Sequence, residues 1–397
     1  MPRTKSKSKT ACTPRDKLLR LEQELNQMFL ERADLIRIIL LSLLTRQHTL
    51  IFGKPGAAKS SLVRAIASAI SGGCFQVQLG KDTTTDQLFG PIKVSELPHD
   101  RLCRAFENFM PGKPLAFLDE IDKANSVILN ALYTAMEERL FLNDGEMCEM
   151  PLISLFGAAN SISQLQTEAL APLLDRFLFR IEVDWMQSDS NFLEFVRRRA
   201  TGESPFITTV LSITELQQMQ AAVRTIEFSV EAQEAIARLR KELAAEDVHA
   251  SDRRWGNCID LLQATAYLNG NSEVTGADFA VLKHVLWTDT QQISVIDRKL
   301  RALQKLKPSK GKGRSQLSKN LDPVLDNAIA AMRDFDADTA VGKVAIALTN
   351  LQGLKQGLGQ MPQTQEIKDA LTVIDQKITQ LETHRQQITD RNFQAVI

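Results

Sequence analysis

The octapeptide Gly53-Lys-Pro-Gly-Ala-Ala-Lys-Ser60 has the composition of a loop that wraps phosphate. Glycines let consecutive backbone N–H groups turn onto phosphoryl oxygens, the lysine reaches the outer phosphates, and the adjacent hydroxyl can ligate Mg²⁺. Its context fits: Leu50-Ile-Phe52 reads as a buried strand before it, and Ser61 to Ile70 as a helix after it, whose N-terminus adds a favourable dipole. Gly53, Pro55, Gly56, Ala57, Ala58, Lys59, Ser60 and Ser61 are therefore candidate nucleotide contacts. Ala58 stands where a glycine is usual.

Four further groups fall downstream in order. Leu115-Ala-Phe-Leu118 runs into Asp119-Glu120, where Asp119 can hold the Mg²⁺ water shell and Glu120 can polarise an attacking water. Ser154-Leu-Phe-Gly-Ala-Ala159 ends in Asn160, whose amide can orient that water at the sheet edge where ligands collect. Arg176 precedes another candidate strand and can project into a neighbouring subunit's γ-phosphate; the plainer alternative is a surface ion pair. Ser251-Asp-Arg253-Arg254-Trp255 opens a helix with an N-cap serine. Cations in a first helical turn oppose the dipole, so these two arginines point to an anionic partner.

The elements that must position these residues follow from periodicity. Short apolar runs at Leu50–Phe52, Phe75–Gln78, Leu115–Leu118, Ser154–Ala159 and Phe177–Val183 alternate with helical patterns, which predicts an α/β unit with a mostly parallel sheet. It follows a basic, disordered tail at 1–13 and spans 14–206. Residues 207–290 read as an all-α lid, including helices at Val230–Leu243 and Asp252–Leu268. In 291–397, a basic linker near 307–319 leads to a helical bundle whose seam is Ile367, Leu371, Ile374, Ile378, Leu381 and Ile388. The chain of 397 residues balances 48 basic against 48 acidic side chains, so no global field marks a partner. Its longest early apolar run, Ile38–Leu44, is too short for a membrane span, and no secretory h-region opens the chain. Five scattered cysteines without a CxxC suggest neither a disulfide framework nor a zinc site. The expectation is a cytoplasmic protein.

With the five groups in this order, the sequence resembles AAA+ ATPases of the MoxR family, in which alanine replaces the last loop glycine. Gln87-Leu-Phe-Gly-Pro-Ile92, Leu129-Asn-Ala-Leu-Tyr-Thr-Ala-Met-Glu-Glu-Arg139 and Ser251–Trp255 with Leu261–Gly270 look most like the RavA branch. The resemblance implies a P-loop AAA+ core, ATP and Mg²⁺ as cofactors, and a homo-hexameric ring acting as a protein-remodelling chaperone beside a von Willebrand factor A (vWA) domain protein. It makes Lys59 and Ser60 Walker A, Asp119 and Glu120 Walker B, Asn160 sensor 1, Arg176 the arginine finger and Arg253 sensor 2. A helix-2 insert within Gly80–Leu97 and a hairpin within Phe141–Pro151 would face the ring channel. The alternatives are a nucleic-acid motor, a metal-chelatase-type subunit, and a scaffold in which nucleotide only drives assembly. Neither basic segment interleaves aromatics for base stacking, which disfavours nucleic acid, and Glu120, Asn160 and Arg176 together favour turnover over scaffolding.

Overall fold

Thr13 caps the first helix reciprocally: its hydroxyl accepts from the Asp16 N–H, and Asp16 accepts from the Thr13 N–H, with Pro14 at the first helical position. In the computed structural model, which describes residues 13–167 and 170–303 and, near the C-terminus, Gln352, Lys355, Asp375, Ile378, Thr379 and Glu382, the chain divides into units of Met1–Ser309 and Lys310–Ile397. The first runs α1 (Pro14–Met28), α2 (Ala33–Thr45), β1 (His48–Phe52), α3 (Lys59–Ser68), β2 (Cys74–Gln78), α4 (Thr85–Phe89), β3 (Leu115–Asp119) and α5 (Ser126–Glu137). It continues through β4 (Leu140–Asn143), β5 (Glu146–Glu149), β6 (Ser154–Ala159), α6 (Ala171–Arg176), β7 (Phe177–Glu182) and α7 (Asp189–Thr201). Helices α8 (Ile213–Val223), α9 (Val230–Ala244), α10 (Asp252–Asn269) and α11 (Gln292–Leu303) complete it.

Five strands form one sheet in the order β2-β3-β6-β1-β7, and every neighbouring pair is parallel. Strands β1 and β6 are buried along their whole length, as parallel strands covered on both faces must be, which is why they read as unbroken apolar runs. All five expected strands are present, with ends shifted by a residue or two. Strands β4 and β5 form a separate antiparallel hairpin at the place expected for one.

The lid is helical as expected, but it does not stop at 290. Ile296, Leu300 and Leu303 of α11 are buried, and α11 packs against α9 and the 3₁₀ segment Gly276–His284; this apolar stripe at spacings of four and three has its partner in the lid. Helix α8 packs on α1 and α2 as well as on α10, so it ties lid to core. Helix α7 has no buried residue; its apolar side chains Phe192, Leu193, Phe195 and Val196 stay exposed. The expected tail before Thr13, the linker near 307–319 and, Ile378 apart, the seam of the C-terminal bundle lie outside the described residues. Within the second unit, the helical residues Lys355 and Asp375 pair at 2.6 Å. Among the described residues, no helix is long and apolar enough to cross a membrane.

One buried imidazole fixes where β1 begins. His48 Nδ1 accepts the Leu155 N–H at 2.9 Å, so its Nε2 carries the proton and donates to Met136 O at 2.9 Å. Burial, reinforced by the Arg139 charge, pushes its pKa down to about 4. Because the folded value lies below that of the unfolded chain, the unfolded state takes up the proton first as pH falls. Stability is therefore present above pH ~6.5 and lost toward pH 4, by up to ~3 kcal/mol for this residue. Urea unfolding at pH 7 and pH 5 should show the loss, and His48→Gln should flatten the pH slope.

Candidate functional site

The strands β1, β6 and β3 end side by side at one edge of the sheet, and three of the five sequence-derived groups meet there. Gly53 leaves β1 with φ 143°; a Cβ on it would lie 1.9 Å from Val183 O, so only glycine fits. Its N–H donates to Ala159 O at 3.2 Å, which places Asn160, exposed at the end of β6, beside the loop entrance. Gly56 has φ 80° and Ala58 φ 64°. Glycine's absence at position 58 therefore does not alter the path: alanine adopts the left-handed conformation, at a cost of roughly 1 kcal/mol.

Lys59 is buried, with Nζ donating to Gly53 O and, at 3.2 Å, to Lys54 O. Burial pushes its pKa down, and the nearby Asp119 opposes that shift. Ser60 Oγ donates to Asp119 Oδ2 at 2.8 Å. This contact crosses from the start of α3 to the end of β3, past the intervening β6, a span of roughly 10 Å at the usual strand spacing. A hydroxyl and a carboxylate oxygen so placed are the hard donors that Mg²⁺ prefers, so Ser60 and Asp119 fit that ion. Glu120, at φ 52°, is held by Lys123 Nζ at 2.6 Å; the Lys123 and Gln78 hydrogen bonds keep its carboxyl below the ordinary glutamate range. Gln78 ends β2 opposite Asp119 in register.

The loop is also clasped from outside. Arg32 donates from Nε to Ala57 O at 3.2 Å and from Nη2 to Asp184 O at 2.7 Å, and Trp185 Nε1 donates to Pro55 O at 3.1 Å. Lys54 Nζ lies 4.5 Å from the Trp185 ring. A cavity of about 530 Å³ opens against Ala57, Ala58 and Ser61, walled by Phe29, Trp185 and Phe192. Its size and aromatic lining suit a nucleoside. Sequence reasoning misses Gln78, Arg32 and Trp185, because each acts through a contact between segments far apart in the chain.

The two sequence-derived arginines lie elsewhere. Arg176 ends α6 just before β7, and Phe177 pairs with His48 at the start of β1. Both strands run the same way, so Arg176 sits at the edge opposite the loop. His48 and Phe52 alone are separated by about 13 Å at the rise of a strand, and an arginine cannot span that distance plus the loop. Arg253 is paired through Nη1 with Glu137 and through Nη2 with Asp175, which puts it beside Arg176, whose Nη2 lies 3.3 Å from Glu137 Oε2. Glu137, Asp175, Arg176 and Arg253 line a cavity of about 170 Å³. Arg254 is different: it is buried and donates to the carbonyls of Phe177 (3.2 Å), Leu178 (3.0 Å) and Val285 (2.7 Å), bolting the lid to β7.

A five-stranded parallel sheet with a phosphate-type loop after β1, carboxylates after β3 and a helical lid defines a P-loop AAA+ module. Residues 16–220 match the family described as the MoxR domain in the MoxR-vWA-beta-propeller ternary systems, and residues 231–301 match the AAA lid domain; the chain belongs to the MoxR family of AAA+ ATPases. It is 38% identical over 283 residues to the uncharacterized protein MJ0079 of Methanocaldococcus jannaschii, covering 71% of this chain and 73% of that one. It is 26% identical over 201 residues to the chaperone MoxR1 of Mycobacterium tuberculosis, covering 50% and 52%. A crystal structure of a candidate ATPase from Cytophaga hutchinsonii aligns with a TM-score of 0.58 at 18% identity, over 72% of this chain and 94% of that one, a likeness of fold.

The neighbouring arginines should separate experimentally. Arg254→Ala strips buried carbonyls of their donor and should cost about 3 kcal/mol or more in urea unfolding. Arg253→Ala, removing two half-exposed ion pairs, should stay within about 1 kcal/mol. Equal losses would contradict this division.

Proposed function

We propose that this chain is an ATP hydrolase that works as a ring and remodels protein. The observation that carries the proposal is the Ser60–Asp119 hydrogen bond at 2.8 Å, with Glu120 next in sequence and Asn160 on the adjoining strand end. In this reading the backbone from Gly53 to Ala58 cradles the phosphates, Lys59 releases the loop carbonyls to pair with the outer phosphates, and Ser61 borders the nucleoside cavity. Ser60 and Asp119 hold Mg²⁺, which when bound neutralises phosphate charge. Glu120 is poised as a carboxylate to accept a proton from water, and Asn160 orients that water.

Arg176 and Arg253, at the opposite sheet edge, serve the next subunit's nucleotide, which is why the active form is an assembly; the family precedent for it is a hexamer. A protein client is supported by exposed apolar side chains on the insert (Val94, Leu97), just after it (Leu102) and on the hairpin (Leu142, Met147). The ternary systems for which the matching family is described support a vWA-domain partner. The strings at Gln87–Ile92 and Ser251–Trp255 support a RavA-like placement within the family.

Two experiments test this. Lys59→Ala should abolish ATP binding, whereas Glu120→Gln should bind ATP and lose hydrolysis by orders of magnitude; wild-type turnover by Glu120→Gln would refute the catalytic assignment. Arg176→Ala should lose about 10³-fold or more in kcat, the scale of an arginine finger. Mixed with Glu120→Gln subunits it should recover part of that rate, since some interfaces then join an intact Arg176 to an intact Glu120. A verified mixed ring without recovery would exclude action across the interface.

A further inference from the structure

Helix α5 brings Tyr133 and Glu137 onto one face, four residues apart, and both touch Arg176. The guanidinium lies 4.5 Å from the Tyr133 ring centre, its Nη1 donates to Pro172 O at 2.9 Å, and its Nη2 is 3.3 Å from Glu137 Oε2. Glu137 Oε1 takes Nη1 of Arg253. One carboxylate therefore divides its oxygens between an arginine of the core and an arginine of the lid. Asp175 takes the other arm of Arg253. Two guanidinium groups side by side repel each other, and this pair is balanced by two carboxylates. Arg176 also keeps a buried Nε with no hydrogen-bond partner, a donor group that a folded protein normally satisfies.

We infer that Glu137 is the positioning residue of the arginine pair: it fixes the spacing of Arg176 and Arg253, on the Tyr133 platform, so that both meet the phosphates of the neighbouring subunit together. The inference rests on the reading that these arginines act across the interface. Its physical basis is that a carboxylate bridging two guanidinium groups removes rotamer freedom from two long side chains and offsets the repulsion between their charges. The N–H groups of the two guanidinium heads that these contacts leave unused remain for an incoming anion. Glu137 touches no nucleotide of its own chain, because it shares the sheet edge with Arg176.

The test uses the full-length chain with Glu137→Gln, an isosteric change that removes the charge. The expected result is a kcat lowered roughly 10- to 100-fold, the weight of one charge-assisted hydrogen bond, with KM for ATP and the thermal midpoint little changed. Combining it with Arg176→Ala should add nothing to the loss caused by Arg176→Ala alone. Mixing Glu137→Gln with Glu120→Gln subunits should restore activity, which a merely structural defect would not allow. Tyr133→Leu, which removes the platform and leaves the carboxylate, is the second variant and should show the same rescue. An unchanged kcat, an additive double variant, or a loss that mixing fails to repair while that of Arg176→Ala is repaired would overturn the inference. Failure of the Arg176→Ala mixture itself would overturn the reading beneath it, and this inference with it.

Discussion

Parallel strands give a sheet two unlike edges, and this polarity governs where the chemical groups at the strand ends sit. Groups that follow β1, β3 and β6 collect at the carboxyl edge, where helix N-termini and open strand ends face a ligand. Groups that precede β7 collect at the other edge. Neither placement depends on fine side-chain geometry. It follows from strand order and direction alone, and it separates Lys59, Ser60, Asp119, Glu120 and Asn160 from Arg176 within a single subunit. A site that needs both sets has to be assembled from two copies.

The lid obeys the same constraint. Its docking onto the core runs through Arg254, whose guanidinium satisfies carbonyls of β7 and of Val285, and through the edge-to-face contact of Phe52 with Trp287 at 5.9 Å. Burying a guanidinium is costly unless its donors are filled, and Arg254 fills them with backbone oxygen. Arg253, one residue earlier, turns 100° around α10 and emerges half exposed beside Glu137. Neighbours in sequence thus divide into a buried bolt and a half-exposed, ion-paired arm, and the N-cap of Ser251 sets the phase that decides which is which.

Two of the eight non-glycine residues with positive φ among the described residues lie where phosphate chemistry is proposed. Ala58 and Glu120 both adopt positive φ, which non-glycine residues rarely do without support. Support comes from the Ser60–Asp119 contact on one side and from Lys123 and Gln78 on the other. The clasp formed by Arg32 and Trp185 adds a third hold on the loop, and it couples the loop to the end of β7 and so to α7.

By itself the sequence determined the strands, the lid helices α9 and α10 and the order of the chemical groups, because buried parallel strands are continuous apolar runs and helix caps are local. It also determined the family, since motifs in a fixed order are a one-dimensional signal. Only the tertiary structure decided that α11 belongs to the lid, because an apolar stripe at Ile296, Leu300 and Leu303 does not name its partner. Only it placed Gln78 against Glu120, Arg32 against Ala57, and Glu137 between Arg176 and Arg253. Those contacts join segments up to 116 residues apart, and the direction of a strand or the phase of a helix, which brings them together, is set by packing rather than by local sequence.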